Sequence, residues 1–256
     1  MSFQGMGNHH QPLMNSTISR YQTMLLEDKC LIIKGIVMDM DGTITKFNLD
    51  YMAARRKALW ELDKLNLRTP EMSEQLSLYL ILKKLKEELD TDRFTSLRRR
   101  FYDLLEDMEV KAAKEVTLYP GAVETLRMLR ARGMKIGLLT NNGHAGTEIT
   151  LRRYQLATFF DAIVTRDDCE EMKPDGAPVR KLLTEMNVPP EEAVLVGDGV
   201  IDIMAARAAG LRSVAVATGP FPSDRLIQAE PDYLLGSVND LPLLIEQLGV
   251  TGQGQC

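Results

Sequence analysis

Five short apolar runs, each closing on polar residues or glycine, set the rhythm of the chain. Residues 31–39 read Leu-Ile-Ile-Lys-Gly-Ile-Val-Met-Asp and lead into the turn Asp39-Met40-Asp41-Gly42-Thr43. Residues 134–140 end at Asn141-Asn142-Gly143, and residues 160–165 at Arg166-Asp167-Asp168. Residues 193–197 end at Asp198-Gly199, and residues 213–217 at Thr218-Gly219-Pro220. Apolar runs of this length, rich in β-branched residues, predict strands buried on both faces. Between them, residues 121–132, 177–186, 201–209 and 241–248 place apolar side chains three and four apart, the spacing of a helix with one buried face. Gly133 stands just past the first of these, where a helix stop belongs. The alternation predicts an α/β fold with a Rossmann-like, doubly wound parallel sheet. In such sheets the polar residues that follow the strands gather in one crevice at the carboxyl edge.

Residues 46–117 break the rhythm. No strand pattern occurs there, only amphipathic helical spacing over 51–67, 72–89 and 93–114, punctuated by Pro70 and Asp90-Thr91-Asp92. The pattern predicts an all-helical insertion into a core made of residues 31–45 and 118–249. Residues 1–30 are expected to form a disordered or targeting tail, and residues 250–256 a flexible one. Hinges between cap and core are expected near 44–48 and 116–120. Trp60 falls within an apolar helical pattern and is expected to serve core or cap packing rather than as a stacking platform.

Charge narrows the partners. The 256 residues carry 31 Lys+Arg and 36 Asp+Glu, a net charge of −5, unevenly divided as +1 over residues 46–117 and −6 over the rest. Without a basic excess no nucleic-acid partner is expected. No apolar run approaches the roughly 18 residues of a membrane span, so no membrane partner is expected either. Cys30, Cys169 and Cys256 are odd in number and far apart, which points away from disulfides and zinc and towards a reducing compartment, the cytoplasm. The N-terminal stretch has no acid before Glu27 and contains Ser, Thr and Arg20, which leaves a mitochondrial transit peptide as the alternative.

The candidate chemistry lies at the strand ends. Asp39 and Asp41, two apart in extended backbone, point to one side and repel unless a cation stands between them. Asp198 and Asp202, four apart across a strand-to-helix junction, form a second acidic pair. A hard cation such as Mg2+ takes oxygen ligands of this kind. Thr140, followed by Asn141 and Asn142, places a hydroxyl and amides where an anion is commonly held. Lys173 precedes Pro174 at the start of a helical pattern, in a stiff stretch of chain.

The ordered set Asp-x-Asp-Gly-Thr, strand-Thr-Asn, Lys-Pro and Gly-Asp-Gly-x-x-Asp resembles the haloacid dehalogenase superfamily of phosphohydrolases over about residues 33–219. A helical insertion between the first and second motifs resembles the phosphoglycolate phosphatase-like branch. The resemblance implies a Mg2+-dependent phosphatase that hydrolyses a small-molecule phosphate monoester through an aspartyl-phosphate. It implies Asp39 as nucleophile, Asp41 as general acid and base, and Thr140, Asn141 and Lys173 as phosphoryl ligands. Asp39, the Asp41 carbonyl and Asp198 would hold the metal, with Asp202 in support. Asp41 argues for phosphate esters, since dehalogenase members lack that acid. A phosphomutase acting on a sugar phosphate and an inactive binding protein are the alternatives. Gly199 stands where many relatives carry a small hydroxyl residue. Asn142 and His144 are weaker candidate contacts. Arg55, Arg56 and Arg98-Arg99-Arg100 are candidate contacts for an anionic substrate tail.

Overall fold

The computed structural model describes residues 32–46, 48–220 and 222–251. The tail expected over residues 1–30, with its targeting alternative, therefore lies outside the described residues, as do Cys30 and Cys256. Strand β1 (Gly35–Met38) opens the fold. Three helices follow: α1 (Tyr51–Lys64), α2 (Leu78–Glu88) and α3 (Thr91–Glu115). Then come α4 (Ala122–Ala131), β2 (Lys135–Leu139), α5 (His144–Tyr154) and β3 (Ala162–Val164). The chain continues through α6 (Ala177–Met186), β4 (Ala193–Gly197), α7 (Val200–Ala209) and β5 (Arg212–Val216). It closes with α8 (Ser223–Gln228), β6 (Tyr233–Leu235) and α9 (Leu241–Thr251).

The six strands form one parallel sheet in the order β3-β2-β1-β4-β5-β6. Alternating side chains split between two faces, as the two-residue period of a strand requires. Ile36, Met38, Ile136, Leu138, Val194 and Val196 join α4, α5 and α9 in one apolar cluster. Val37, Leu139 and Leu195 join α6 and the alanines of α7 in another. Both faces are covered, which confirms the Rossmann-like, doubly wound sheet and accounts for the near-continuous apolar strands. Register then places the site. Met38 lies level with Leu138 and Val196, so Asp39, Thr140 and Asp198 all emerge just beyond the same edge. From β1 the order runs outward in both directions, the topological switch point where open α/β sheets collect ligands.

The three inserted helices have an apolar cluster of their own, built on Leu59, Leu62, Ile81, Leu85, Phe94 and Phe101. Side-chain caps set their starts: Asp50 accepts the Ala53 N–H at 2.8 Å, Ser77 that of Leu80 at 3.3 Å and Asp90 that of Arg93 at 2.9 Å. The Ser77 cap explains why the second helix begins at Leu78 rather than at residue 72. The two crossings between insertion and sheet lie side by side. Lys46 N–H donates to the Thr117 carbonyl at 2.7 Å, Tyr119 N–H to that of Ile44 at 2.9 Å, and Thr45 bridges Leu118.

The structure departs from expectation in places. Trp60 is not packed inside the insertion: it is 58% exposed, and the Lys64 ammonium lies 3.1 Å from its ring centroid. The helical repeat at Trp60 turns it outward, while Leu59 and Leu62 take the inner face. β6, α5 and α8 are additional to the predicted elements, and α9 runs through Thr251, two residues into the expected tail. No helix among the described residues is long and apolar enough to cross a membrane.

Candidate active site

Lys173 is the residue whose setting differs most from an ordinary lysine. It is 2% exposed, and its Nζ donates to Asp39 Oδ1 at 2.5 Å and to Asp202 Oδ1 at 2.6 Å. Two elements hold it there. The Asn141 side chain clasps its peptide group, accepting from Lys173 N–H at 3.0 Å and donating to the Lys173 carbonyl at 2.9 Å. Asp202 is fixed in turn, because its Oδ2 accepts the Gly199 N–H at 3.0 Å and closes the first turn of α7. Gly199 thus supplies its main-chain amide to the site.

Asp39, Asp198 and Asp202 form a group whose nearest oxygens all lie within 4.8 Å of one another. All three are buried. Burial pushes the Asp39 carboxyl up to about 7, with Lys173 opposing and Asp202 and Asp41 adding repulsion. Burial, then the negative charges of Asp39 and Asp202, push Asp198 up to about 9. Burial alone would pull the Lys173 ammonium down, but Asp202 and Asp39 outweigh it and hold it above its ordinary value. Fully ionised, three carboxylates facing one ammonium would leave two negative charges in a nearly dry space, which is what raises Asp39 and Asp198 when no cation is bound. An all-oxygen set of that charge fits a hard divalent cation. The surrounding backbone is cut to admit it: a Cβ on Gly219 would lie 1.8 Å from Asp198 Oδ2, and one on Gly42 2.3 Å from it. Gly42 also turns with a φ of 90°, which side-chain-bearing residues rarely adopt.

Asp41 is set apart from this group. Its Oδ1 accepts from Thr45 Oγ1 at 2.6 Å and its Oδ2 from Asn142 Nδ2 at 2.5 Å. Burial raises its carboxyl above the usual range, while those two hydrogen bonds pull it back. Thr140 is buried at the end of β2, and its hydroxyl accepts the Asn142 N–H at 3.1 Å, which uses one lone pair and leaves its O–H to donate. The Thr43 hydroxyl lies 3.4 Å from Asp39 Oδ2.

Every candidate of the core motifs therefore comes to one edge of the sheet; of the insertion's substrate candidates, Arg55 and Arg56 bond within the insertion, and Arg98 reaches the core loop that leads to Lys173. Arg55 donates to the Glu74 carbonyl at 3.1 Å, Arg56 to Glu74 Oε2 at 3.5 Å and Arg98 to the Glu170 carbonyl at 3.2 Å. Arg99 and Arg100 are exposed. His144 is exposed and opens α5, its N–H donating to Asp167 Oδ2 at 2.6 Å. Cys169 is a free thiol. Thr45 went unnoticed in the sequence, although its place two residues after Thr43 in the turn was the available signal. Tyr51 also went unnoticed: it opens α1 and is 37% exposed, and its phenol is pushed upward by partial desolvation and by the nearby carboxylates of Asp41, Asp39, Glu109 and Asp198. Glu109 and Arg166, a buried pair behind the Asn141–Asn142 turn, carried no motif signal at all.

Comparison with known proteins agrees with this geometry. The profile of the haloacid dehalogenase-like hydrolase family matches residues 36–216. A phosphoglycolate phosphatase of Nitrosospira multiformis is 30% identical over 85% of this chain and 97% of its own. The pyrophosphatase PpaX of Bacillus anthracis is 28% identical over 84% of this chain and 98% of its own. Among solved structures, a hydrolase from Pseudomonas syringae superposes with a TM-score of 0.64 at 24% identity, over 84% of this chain and 98% of its own. With the motifs at one sheet edge and a profile running from β1 to β5, the chain belongs to the haloacid dehalogenase-like hydrolase family.

Proposed function

We propose that the protein is a Mg2+-dependent phosphatase of small-molecule phosphate monoesters, acting through an aspartyl-phosphate on Asp39. The observation that carries this reading is the separate environment of Asp41. It sits two residues from Asp39, outside the Lys173 ion pairs with Asp39 and Asp202, and accepts hydrogen bonds from Thr45 and Asn142. A nucleophile and a proton donor are both required for ester cleavage, and they need different surroundings. Burial raises the proton affinity of both carboxyls, but only Asp39 is bonded to an ammonium, which favours its ionised form, while Asp41 is held by the neutral donors Thr45 and Asn142.

In this reading Asp39 attacks phosphorus while Asp41 protonates the departing oxygen, and Asp41 then takes a proton from the water that hydrolyses the aspartyl-phosphate. Lys173 neutralises charge on Asp39 and the phosphoryl oxygens, and the Thr140 hydroxyl and the Asn141 turn bind the phosphoryl group. Mg2+, held by Asp39, Asp198 and the Asp41 carbonyl with Asp202 in support, would screen repulsion between nucleophile and phosphate. Residues 46–117 act as the cap over residues 31–45 and 118–249, moving on the paired crossings. Substrate choice lies with that cap. The relatives named for phosphoglycolate and pyrophosphate support phosphate chemistry on a common core with different substrates. The compartment is the cytoplasm, by the sparse and unpaired use of cysteine.

The test is a panel of phosphorylated metabolites offered to the purified protein with Mg2+, read as free phosphate. Release by wild type and its loss in Asp39→Asn supports the reading. Equal activity of the variant sinks the nucleophile assignment. Isomerised sugar phosphate with little free phosphate would make the protein a mutase, and inertness towards the whole panel a binding protein.

A further inference from the structure

Behind the Asn141–Asn142 turn lies a buried ion pair that none of the motifs includes. Arg166, just past β3, donates from Nη1 to Glu109 Oε1 at 2.5 Å and from Nη2 to Oε2 at 3.0 Å. Glu109 belongs to α3, in the inserted segment, and Arg166 to the core; their side chains are 3% and 2% exposed. The forked geometry fixes direction as well as distance. Both partners also grip the turn between β2 and α5. Glu109 Oε2 accepts the Gly143 N–H at 2.8 Å, and Arg166 Nη1 donates to the Asn141 carbonyl at 3.1 Å. Arg166 N–H donates to the Asn142 carbonyl at 3.0 Å. Three consecutive residues of the turn are thus held from behind.

The packing is built around this grip. A Cβ on Gly143 would come within 2.7 Å of Arg166 Nη2, and one on Gly146 within 3.0 Å of Glu109 Cβ. The guanidinium lies 4.7 Å from the ring centroid of Tyr102, about two turns before Glu109 on the same face of α3. Its Nε is buried with no hydrogen-bond partner, so the planar group has been placed for its two Nη atoms. On its other side the turn presents Asn142 Nδ2 to Asp41 and the Asn141 side chain to the Lys173 peptide.

We propose that Glu109 and Arg166 are positioning residues for the reaction of the preceding section, on which this inference rests. They lock the 141–143 turn and so aim Asn142 at Asp41 and Asn141 at Lys173. Because Glu109 comes from the inserted segment, the alignment of the proton donor depends on that segment being docked. The groups themselves do not touch the reacting atoms.

A double variant, Glu109→Met with Arg166→Met, tests this, since replacing a buried ion pair by apolar side chains is often neutral for stability. Glu109→Gln, which keeps an acceptor for the Gly143 N–H, serves as a second variant should the first not fold. Two readouts are taken. One is the Asn142 side-chain amide in 1H–15N spectra, which reports the Asp41 contact whether or not any substrate turns over. The other is single-turnover cleavage of p-nitrophenyl phosphate, whose leaving group needs little protonation, against an alkyl phosphate, whose leaving group needs a proton. The expected result is a displaced or broadened Asn142 amide and a loss on the alkyl ester at least tenfold larger than on the aryl ester, with KM changed less than threefold. An unmoved amide, or equal losses on both esters, overturns the proposal. If wild type cleaves neither ester, the phosphatase reading fails, and the amide signal alone decides whether the pair positions Asn142.

Discussion

The Lys173 ammonium donates to Asp39 Oδ1 at 2.5 Å, in a contact that joins residues 134 positions apart and is almost sealed from water. A buried charge without its partner is costly, so each of these groups is a condition for the other. Lys173→Met leaves Asp39 and Asp202 facing each other across an apolar side chain. We expect a loss of about 3–5 kcal/mol in stability at pH 8, measured by urea unfolding without metal. Towards pH 5 the loss shrinks, because Asp39, raised by burial to about 7, takes up a proton. Phosphate release should fall by at least about 10²-fold. Unchanged stability across that range would contradict the charge balance described above.

The metal-free protein should lose stability as pH rises from about 4 to about 9. Asp39 is pushed up to about 7 and Asp198 to about 9 in the folded state, against ordinary values near 3.8. Between the unfolded and folded values the folded protein binds more protons than the unfolded chain. Stability therefore falls with rising pH through that window. The upward displacement of Lys173 acts only above its own ordinary value near 10.5, outside the window. Saturating Mg2+ should flatten the slope, because the ion favours the ionised carboxylates. Denaturant titrations at several pH values, with EDTA and with Mg2+, read it directly. A slope of opposite sign in EDTA would refute the burial argument.

Gly219→Ala places a methyl group where the Asp198 carboxylate stands, with 1.8 Å between Cβ and Oδ2. The carboxylate must move, and Mg2+ affinity should fall about 10–100-fold, as when the support of a metal ligand is removed. Titration calorimetry with Mg2+ is the measurement. Wild-type affinity would show that Asp198 is not a ligand.

Tyr51, at the start of α1, is a partly exposed residue of the inserted helices whose phenol is pushed upward by desolvation and by Asp41, Asp39, Glu109 and Asp198. Tyr51→Ala should raise KM for monoesters with large leaving groups by about tenfold, equivalent to about 1.4 kcal/mol of lost contact. Effects on kcat should stay within about threefold, since the proposed nucleophile and acid, Asp39 and Asp41, are untouched. Arg55→Ala and Arg56→Ala, whose contacts lie with Glu74 inside the insertion, should leave KM unchanged.

How far each element was legible follows from what made it form. The strands of the sheet interior announced themselves because both faces are buried and the residues must be apolar throughout. β6 did not, being three residues at the sheet edge between Pro231 and Gly236. α5 was invisible to hydrophobic spacing because its buried face is made of Gly146, Thr147 and Thr150 along with Leu151. There α3 approaches too closely for larger side chains, and the hydroxyls of Thr147 and Thr150 turn back to the carbonyls of Gly143 and Gly146.

By itself the sequence determined the α/β alternation, the inserted helices and the motif residues Asp39, Asp41, Thr140, Lys173, Asp198 and Asp202. Those features depend on local pattern and on residue type, and both are written along the chain. Tertiary structure decided which groups face one another. Only the folded chain turns Asn142 towards Asp41 and Asn141 towards the Lys173 peptide, and only there does Arg166 meet Glu109 across 57 positions. The physical reason is that a side chain's partner across the fold is set by strand register and helix approach. Both are properties of the packed whole, to which neighbours in sequence contribute no direct signal.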